Sequence, residues 1–444
     1  MKKFASVLLA LTLILALASC NNGTTPSSSG ESGQPESSAA ENSSTEPGTD
    51  GKTVEFWDMA WGGNDQYIVE AQAICKAFTE ETGINVTYQS VPWDNWYQTY
   101  VTAIASDTNP DVSTGSGYQA FQFTKTGNIE PLDDIVDEWT ESGEIDDFID
   151  GAFELMYYED HYRAIPWMTD ARPIFYNMDL LKKYNVEVPT TWDEFYDACV
   201  ACTSGDDYGF ILPSDGMGKQ IIYDFMFNNG GGIFEKDGSV GVYSQENKDA
   251  VAFLDSLYDA GCIYPASSGM AANDTKPIFE GGNLAFYVQS ASYGDAAFDN
   301  CNFEMGMLKP LKSPNGTYGG YYTVNNMMVY SNSDCKTEAK EFLKYYNHNE
   351  LPLFTKGAAN GIPVRKSFYE DPFYVDSHFM TRVMEEWIPV GGNVAWKLTS
   401  NFPELNEIDG LTEWTDLVQG IAMGADTDPL LQAVDAGVRS AMGE

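Results

Sequence analysis

Residues 164–192, AIPWMTDARPIFYNMDLLKKYNVEVPTTW, constrain the fold of this chain more than any other stretch. A short apolar run ends in Pro166 and Trp167, and a second strand-like run covers 173–176. Asn177 then reads as the N-cap of a short helix over 178–184. Pro189 and Thr190 stop the chain before another helix, for which Thr191 and Glu194 form a capping box. Trp167, Asp170 and Arg172 lie between the two strands, where the chain changes direction. An aromatic ring and two opposite charges at a strand crossing are groups that could serve a ligand.

Before this crossing the chain reads as an α/β unit. A strand over 53–57 is followed by a loop, 58–64, and then by helical spacing at Tyr67, Ala71, Ile74 and Phe78, ended by Gly83. Ile84, Val86 and Tyr88 alternate as the next strand. Parallel strands of such units place ligand sites beyond their C-terminal ends, which is where Asp58 to Asn64 fall. A second helix carries Trp93, Trp96, Tyr97, Tyr100 and Ile104. Pro110-Asp111-Val112 opens a further strand that ends in the small-residue loop 113–118. After the crossing come helices and short strands, then Gly281-Gly282-Asn283-Leu284-Ala285-Phe286 running into Gln289-Ser290-Ala291-Ser292-Tyr293. A hairpin at Asn315-Gly316 leads to Gly319-Gly320-Tyr321-Tyr322 and an apolar strand over 327–330; Ala339 to Tyr346 reads as a helix, and Gly361-Ile362-Pro363-Val364 follows.

The pattern resembles the extracellular solute-binding proteins of family 1, the sugar-binding lipoproteins of ABC importers that include maltose-binding proteins. The "AIPW", "FYNMDLLKK" and "PTTWDEF" pieces stand in that family's order and spacing, and "GGNLAFYV", "GGYY" and "NGIPVRK" continue the likeness through nearly the whole mature chain. The resemblance implies an α/β, two-lobed periplasmic-binding-protein-like fold of type II, with a hinge and an interlobe cleft. Three crossings of one cleft make both lobes discontinuous: 52–165 with 318–364, and 166–317 with 365–444. It also implies a monomer that captures a sugar or oligosaccharide and delivers it to ABC permease membrane subunits, without cofactor, metal or catalysis.

The N-terminus reads as an export signal over 1–19. Lys2 and Lys3 precede an apolar run, 7–17, too short for a comfortable membrane span. Leu17-Ala18-Ser19-Cys20 matches a bacterial lipobox, so Cys20 is the expected lipidated residue and the membrane anchor. The rest of 20–51 is Ser, Gly, Pro, Thr and Glu with little apolar content, the composition of a disordered tether. The expected location is the extracytoplasmic face of the cell membrane. The formal charge of −42 argues against nucleic acid, which needs a basic patch. Cys199 and Cys202 lie three apart inside the helix that starts at Trp192, which favours core thiols over a redox or metal pair.

A sugar presents hydroxyls around its ring and C–H groups on its faces, so its site needs aromatic platforms and multivalent hydrogen-bonding side chains. The expected platforms are Trp57, Trp61, Trp167, Tyr293, Tyr321 and Trp396. Asp58, Asn64, Asp111, Asp170 and Gln289 are the expected polar partners, with Ser116, Ser290 and Gly320 beside them. Aromatic residues make up 14% of the chain, and most must serve the core, so the set is wider than a single site. Arg172 has two open roles, binding an acidic ligand or orienting Asp170, and its acidic surroundings favour the second. Two other classes also stay open: a secreted glycosidase using paired carboxylates, and an exported binder of a non-sugar solute. No G-x-S-x-G or H-E-x-x-H motif is present.

Overall fold

Strand β1 (Thr53–Met59) shows why the first lobe closes as it does. Its side chains alternate between two faces: Val54, Phe56 and Asp58 turn to one, Trp57 to the other. Phe56 meets Phe342 and Tyr346 edge-on at 5.0 and 4.8 Å, while Trp57 meets Tyr100 at 5.6 Å across the sheet. Helices Gln66–Thr82 and Lys336–His348 therefore cover one face of β1, and helix Trp96–Ala105 covers the other. The computed structural model describes residues 52–444 except 63, 94, 95 and 399. The export signal, Cys20 and the tether expected over 1–51 lie outside the described residues. Among the described residues no helix is long and apolar enough to cross a membrane.

Among the described residues, eleven strands are arranged mainly in two sheets. β1 runs parallel to β2 (Asn85–Val91) and to β3 (Val112–Gly115). The short hairpin of β4 (Tyr157–Tyr158) and β5 (His161–Tyr162) precedes β6 (Ile165–Ala171). β7 (Ile174–Asn177), β8 (Phe286–Val288) and β9 (Met305–Met307) form an antiparallel three-stranded sheet in the order β8-β7-β9. β10 (Tyr322–Val329) and β11 (Ile362–Pro363) return to the first lobe. The large sheet has the order β11-β6-β10-β3-β1-β2, so two crossing strands and the last short one lie side by side.

The chain leaves the large sheet at Arg172 and Pro173. All of β6 is buried and pairs with β10 as far as Ala171 opposite Tyr322. The expected change of lobe at 165/166 thus falls at the start of a strand that stays in the first lobe for its whole length. The return is similarly displaced from 317/318. Gly319 packs on the backbone of Phe227 and Asn228, and the Tyr321 N–H is held by Asp224 of helix Gly216–Asn228, so the chain joins the large sheet only at Tyr322. The last crossing follows β11.

Local signals explain the helix starts. The Asn177 side chain accepts the Leu180 N–H at 3.1 Å, and the Thr191 hydroxyl accepts the Glu194 N–H at 3.2 Å. The return bond of that box goes one residue earlier than expected, from the Thr190 N–H to Glu194 at 2.8 Å. Gly83 sits at φ 77°, the left-handed cap that ends helix Gln66–Thr82. Cys199 and Cys202 are buried on helix Trp192–Cys202, and burial pushes the Cys202 thiol up to about 11.

Candidate functional site

The lobes meet across a cleft of about 490 Å³, within the range of pockets that enclose small organic ligands, roughly 300–1,000 Å³. The large sheet supplies its floor through Met168, Asp170, Thr323 and Asn325. One wall is aromatic. Trp61 meets Trp93 edge-on at 4.9 Å, and Trp93 meets Trp96 at 6.1 Å. Trp93 is 42% exposed, which leaves a broad ring face open to a ligand, and its indole N–H is already satisfied by the Ala60 carbonyl at 2.8 Å. The opposite wall is polar and comes from the second lobe: Gln220, Asn273, Lys276, Gln289 and Ser290, with Asn406 and Asp409 at one end.

Asp170 and Arg172 stand where the lobes join. The Arg172 guanidinium bonds the Asp170 carboxylate and also donates to the Gln220 side chain. The second oxygen of Asp170 accepts the N–H of Ala291, the first residue of helix Ala291–Phe298, at 3.2 Å. Burial pushes the Asp170 carboxyl up, and Arg172 pulls it back. These bonds link a strand of the first lobe to two helices of the second. At the far end, Lys219 pairs with Asp409 at 2.8 Å.

The structure brings Trp61, Ser116, Asp170, Gln289, Ser290 and Tyr321 together on this cleft. It sets the other expected residues back from it. Trp57 packs on Tyr100 at the other face of β1. Asp58 is buried on the opposite face from Trp57, because β1 runs on to Met59 and its alternation cannot present both to one space. Its carboxylate accepts hydroxyl bonds from Thr114 at 2.7 Å, Tyr346 at 3.2 Å and Tyr88 at 3.3 Å. With no cation in that cage among the described residues, burial pushes the Asp58 carboxyl up to about 7 against the pull of those hydroxyls. Asn64 accepts the Gln66 N–H at 2.9 Å at the start of a helix. Asp111 accepts the Glu55 N–H at 2.8 Å and clips β1 to the start of β3.

Trp167 is buried behind Trp61, ring to ring at 5.4 Å. Gly320 lies under the Trp387 ring, where an added Cβ would come within 3.0 Å of it. Trp396 stacks on Phe227 at 6.1 Å. The Tyr293 ring packs on Tyr287 at 5.5 Å, and its hydroxyl donates to Glu280 at 3.2 Å. Behind the aromatic wall one relay fixes Trp61: its indole N–H donates to the Thr114 hydroxyl at 2.9 Å, and that hydroxyl donates to Asp58.

Trp93, Trp96, Thr323, Asn325, Asn360, Gln220, Lys276, Asn406 and Asp409 line the cleft without having been singled out as site residues. The two tryptophans had a usable signal. They follow the C-terminal end of β2, and the rule that marks the loop after β1 marks that loop equally. Asn406 and Asp409 carry no such signal, since only the packing of the C-terminal helices brings them to the cleft. Among the described residues, no group of three or more His, Cys, Asp or Glu side chains is placed to hold a metal ion.

Known proteins share this architecture. The sequence model of a family described as bacterial extracellular solute-binding protein matches residues 64–350. A galactooligosaccharide-binding protein of Bacillus subtilis is 25% identical, over 100% of this chain and 97% of its own length. A Brucella abortus protein named only as a binding protein is 26% identical over 69% of this chain and 75% of its own. The crystal structure of a sugar transporter from Arthrobacter chlorophenolicus, with bound laminaribiose, superimposes with a TM-score of 0.78 at 30% identity. That match spans 87% of this chain and 99% of the other.

Proposed function

Because the chain belongs to the bacterial extracellular solute-binding protein family, we propose that it captures a sugar, and specifically an oligosaccharide, for an ABC importer and hands it to the permease unchanged. One observation carries this reading: an interlobe cleft joins an open tryptophan face to a wall of amides, hydroxyls and paired charges. C–H groups of a sugar ring suit the first surface, and hydroxyls suit the second. The galactooligosaccharide-binding relative and the neighbour holding laminaribiose support the same ligand class. Direct contact is assigned to Trp61, Trp93, Ser116, Asp170, Gln289, Ser290 and Tyr321. A supporting role behind the wall is assigned to Trp57, Asp58, Asn64, Asp111, Trp167, Gly320 and Trp396.

Capture without chemistry fits the charges. A glycosidase keeps one carboxyl protonated and one ionised across the scissile bond, whereas Asp170 and Asp409 are each tied to a cation. The protein is taken to act as a monomer at the extracytoplasmic face, held there by lipid on Cys20. Replacing Cys20 by Ser should release it from membranes with sugar affinity unchanged.

The deciding experiment is a thermal-shift screen of the mature chain against mono- and oligosaccharides, with amino acids, peptides and polyols beside them. A sugar at 100 times its Kd should add about 2.7 kcal/mol of stability. Stabilisation by a non-sugar solute alone, or shorter sugars appearing on incubation, would overturn the reading.

A further inference from the structure

A second chamber abuts the cleft at its polar wall. Lys276, Ser290 and Asn360 line the cleft, and the same three residues line this chamber of about 410 Å³. Both lobes build this chamber. Phe354 and Thr355 come from the segment before β11, Tyr293 from helix Ala291–Phe298, and Phe373 and Met380 from the C-terminal part of the second lobe. Its chemistry differs from that of the main cleft. Where the main cleft has Asp170, Arg172, Gln220 and Asp409, the chamber sets Tyr293, Phe354, Phe373, Tyr374 and Met380 beside a few hydroxyls, with Lys276, Lys356 and Asp295 as its charged groups.

Two observations tie the chamber to the main cleft. The first is a continuous aromatic ridge behind both: Trp61 meets Trp167 at 5.4 Å, and Trp167 meets Phe354 at 5.9 Å. The platform of one space and the wall of the other thus share one backing ring. The second is the waist. Lys276 is in no ion pair among the described residues, and its ammonium lies 5.8 Å from the centroid of the Tyr293 ring. It is a three-proton donor that lines both spaces. Beyond it Phe373 is 41% exposed, an open ring at the rim of a largely apolar hollow.

We propose that the second chamber is a distal subsite for a linear oligosaccharide too long for the main cleft. Its later residues would lie with their C–H faces on Tyr293 and Phe373, and Lys276 would hydrogen-bond the sugar at the waist. The inference rests on the sugar-binding reading and adds the length of the ligand to it. Because both lobes contribute walls, filling the chamber also favours the closed form: a ligand shifts such an equilibrium only by touching what closure brings together.

The test is a length series. Laminari-, malto- and β-galacto-oligosaccharides of two to five residues are titrated calorimetrically against the wild-type mature chain and two variants. Ser292→Trp fills the chamber from a position given no ligand contact, and Phe373→Ala removes the exposed platform without touching the core. Thermal melting confirms that each is folded. In the series that binds, affinity should rise at least tenfold between the disaccharide and the longer members. Both variants should lose most of that gain and bind the disaccharide as wild type does. Equal affinity at every length, or a gain that survives both variants, would overturn the distal subsite and leave sugar capture standing. Failure of all three series while a non-saccharide solute stabilises the protein would overturn sugar capture, and the subsite with it.

Discussion

Asp58 and Asp170 are both buried carboxylates at the ends of strands in one sheet, yet they occupy opposite kinds of place. Asp58 lies under the sheet among hydroxyls, with no ionic partner among the described residues. Asp170 lies on the floor of the cleft, paired with Arg172 and capping the start of a helix in the other lobe. Burial raises both carboxyls. Only Asp170 has an ionic partner to hold its charge, and only Asp170 bridges the two lobes. The difference teaches that burial and a perturbed carboxyl do not by themselves mark a binding group. What separates the two is whether the remaining hydrogen-bonding capacity faces space or protein.

The largest expected effect tests the ionic pair. Asp170→Ala leaves Arg172 without its counter-charge at a mostly buried position, a loss of about 3 kcal/mol or more in stability. It should also abolish measurable sugar binding. Adding Arg172→Met should restore most of the stability, since replacing both partners removes the orphaned charge, but it should not restore binding. Chemical denaturation with calorimetric titration reads both quantities. Binding retained in the folded double variant would show that Asp170 only braces the hinge.

Asp58 should answer to pH instead. Its folded pKa of about 7 lies above the ordinary carboxylate value of about 3.9. Between those values the folded state holds a proton that the unfolded chain releases. Its contribution to stability is therefore largest in acid, falls as pH rises from about 4 to about 7, and is level above that. Asp58→Asn removes this dependence. Measured by urea unfolding at pH 5 and pH 7, the stability lost by wild type over that interval should exceed the variant's loss by ~2 kcal/mol. Comparing the two proteins cancels the same-signed contributions of Asp224 and Glu350, whose buried carboxyls are also raised. Equal pH dependence in both proteins would mean that Asp58 stays ionised throughout.

The same two residues mark how far the sequence could be read. The α/β order, the two strand-like runs on either side of Arg172 and the caps at Asn177 and Thr191 are local patterns, and local patterns survive in a sequence. So is the alternation of β1. Once that strand reaches Met59, Trp57 and Asp58 must face opposite ways, and its true end was the missing fact. The change of lobe at Arg172 rather than at 165/166 depends on β6 finding β10, more than 150 residues away in the chain. Asn406, Asp409 and Lys276 reach the cleft only through helix packing, so nothing in their sequence neighbourhood sets them apart. Trp93 and Trp96 were legible in principle, as residues beyond a parallel strand's C-terminal end.

A smaller effect is expected at the aromatic wall. Trp61→Ala should weaken sugar binding by ~1 kcal/mol, about fivefold, through the lost ring contact. Trp57→Ala, set back against Tyr100, should leave affinity near wild type while lowering stability. The two variants titrated side by side locate the platform. A larger affinity loss from Trp57 than from Trp61 would put the ligand against Trp57 instead.

The smallest expected effect is the sharpest division between the two aspartates. Asp58 changes its charge near neutral pH and is joined to the platform through Thr114. Were its carboxylate a direct sugar ligand, affinity would follow its ionisation and fall several-fold as the pH drops from 8 to 5.5, because charge-assisted bonds to hydroxyls are the stronger ones. The relay argues otherwise. The Trp61 indole N–H needs only an oxygen lone pair on Thr114, and that hydroxyl can donate to Asp58 whether the carboxyl is charged or protonated through its other oxygen. Trp61 should therefore hold its place across the titration. Affinity measured by calorimetry at pH 5.5, 7 and 8 should change less than twofold, even as stability changes over the same interval. A several-fold loss that tracks a single ionisation near 7, and that disappears in Asp58→Asn, would move Asp58 from behind the wall onto the ligand.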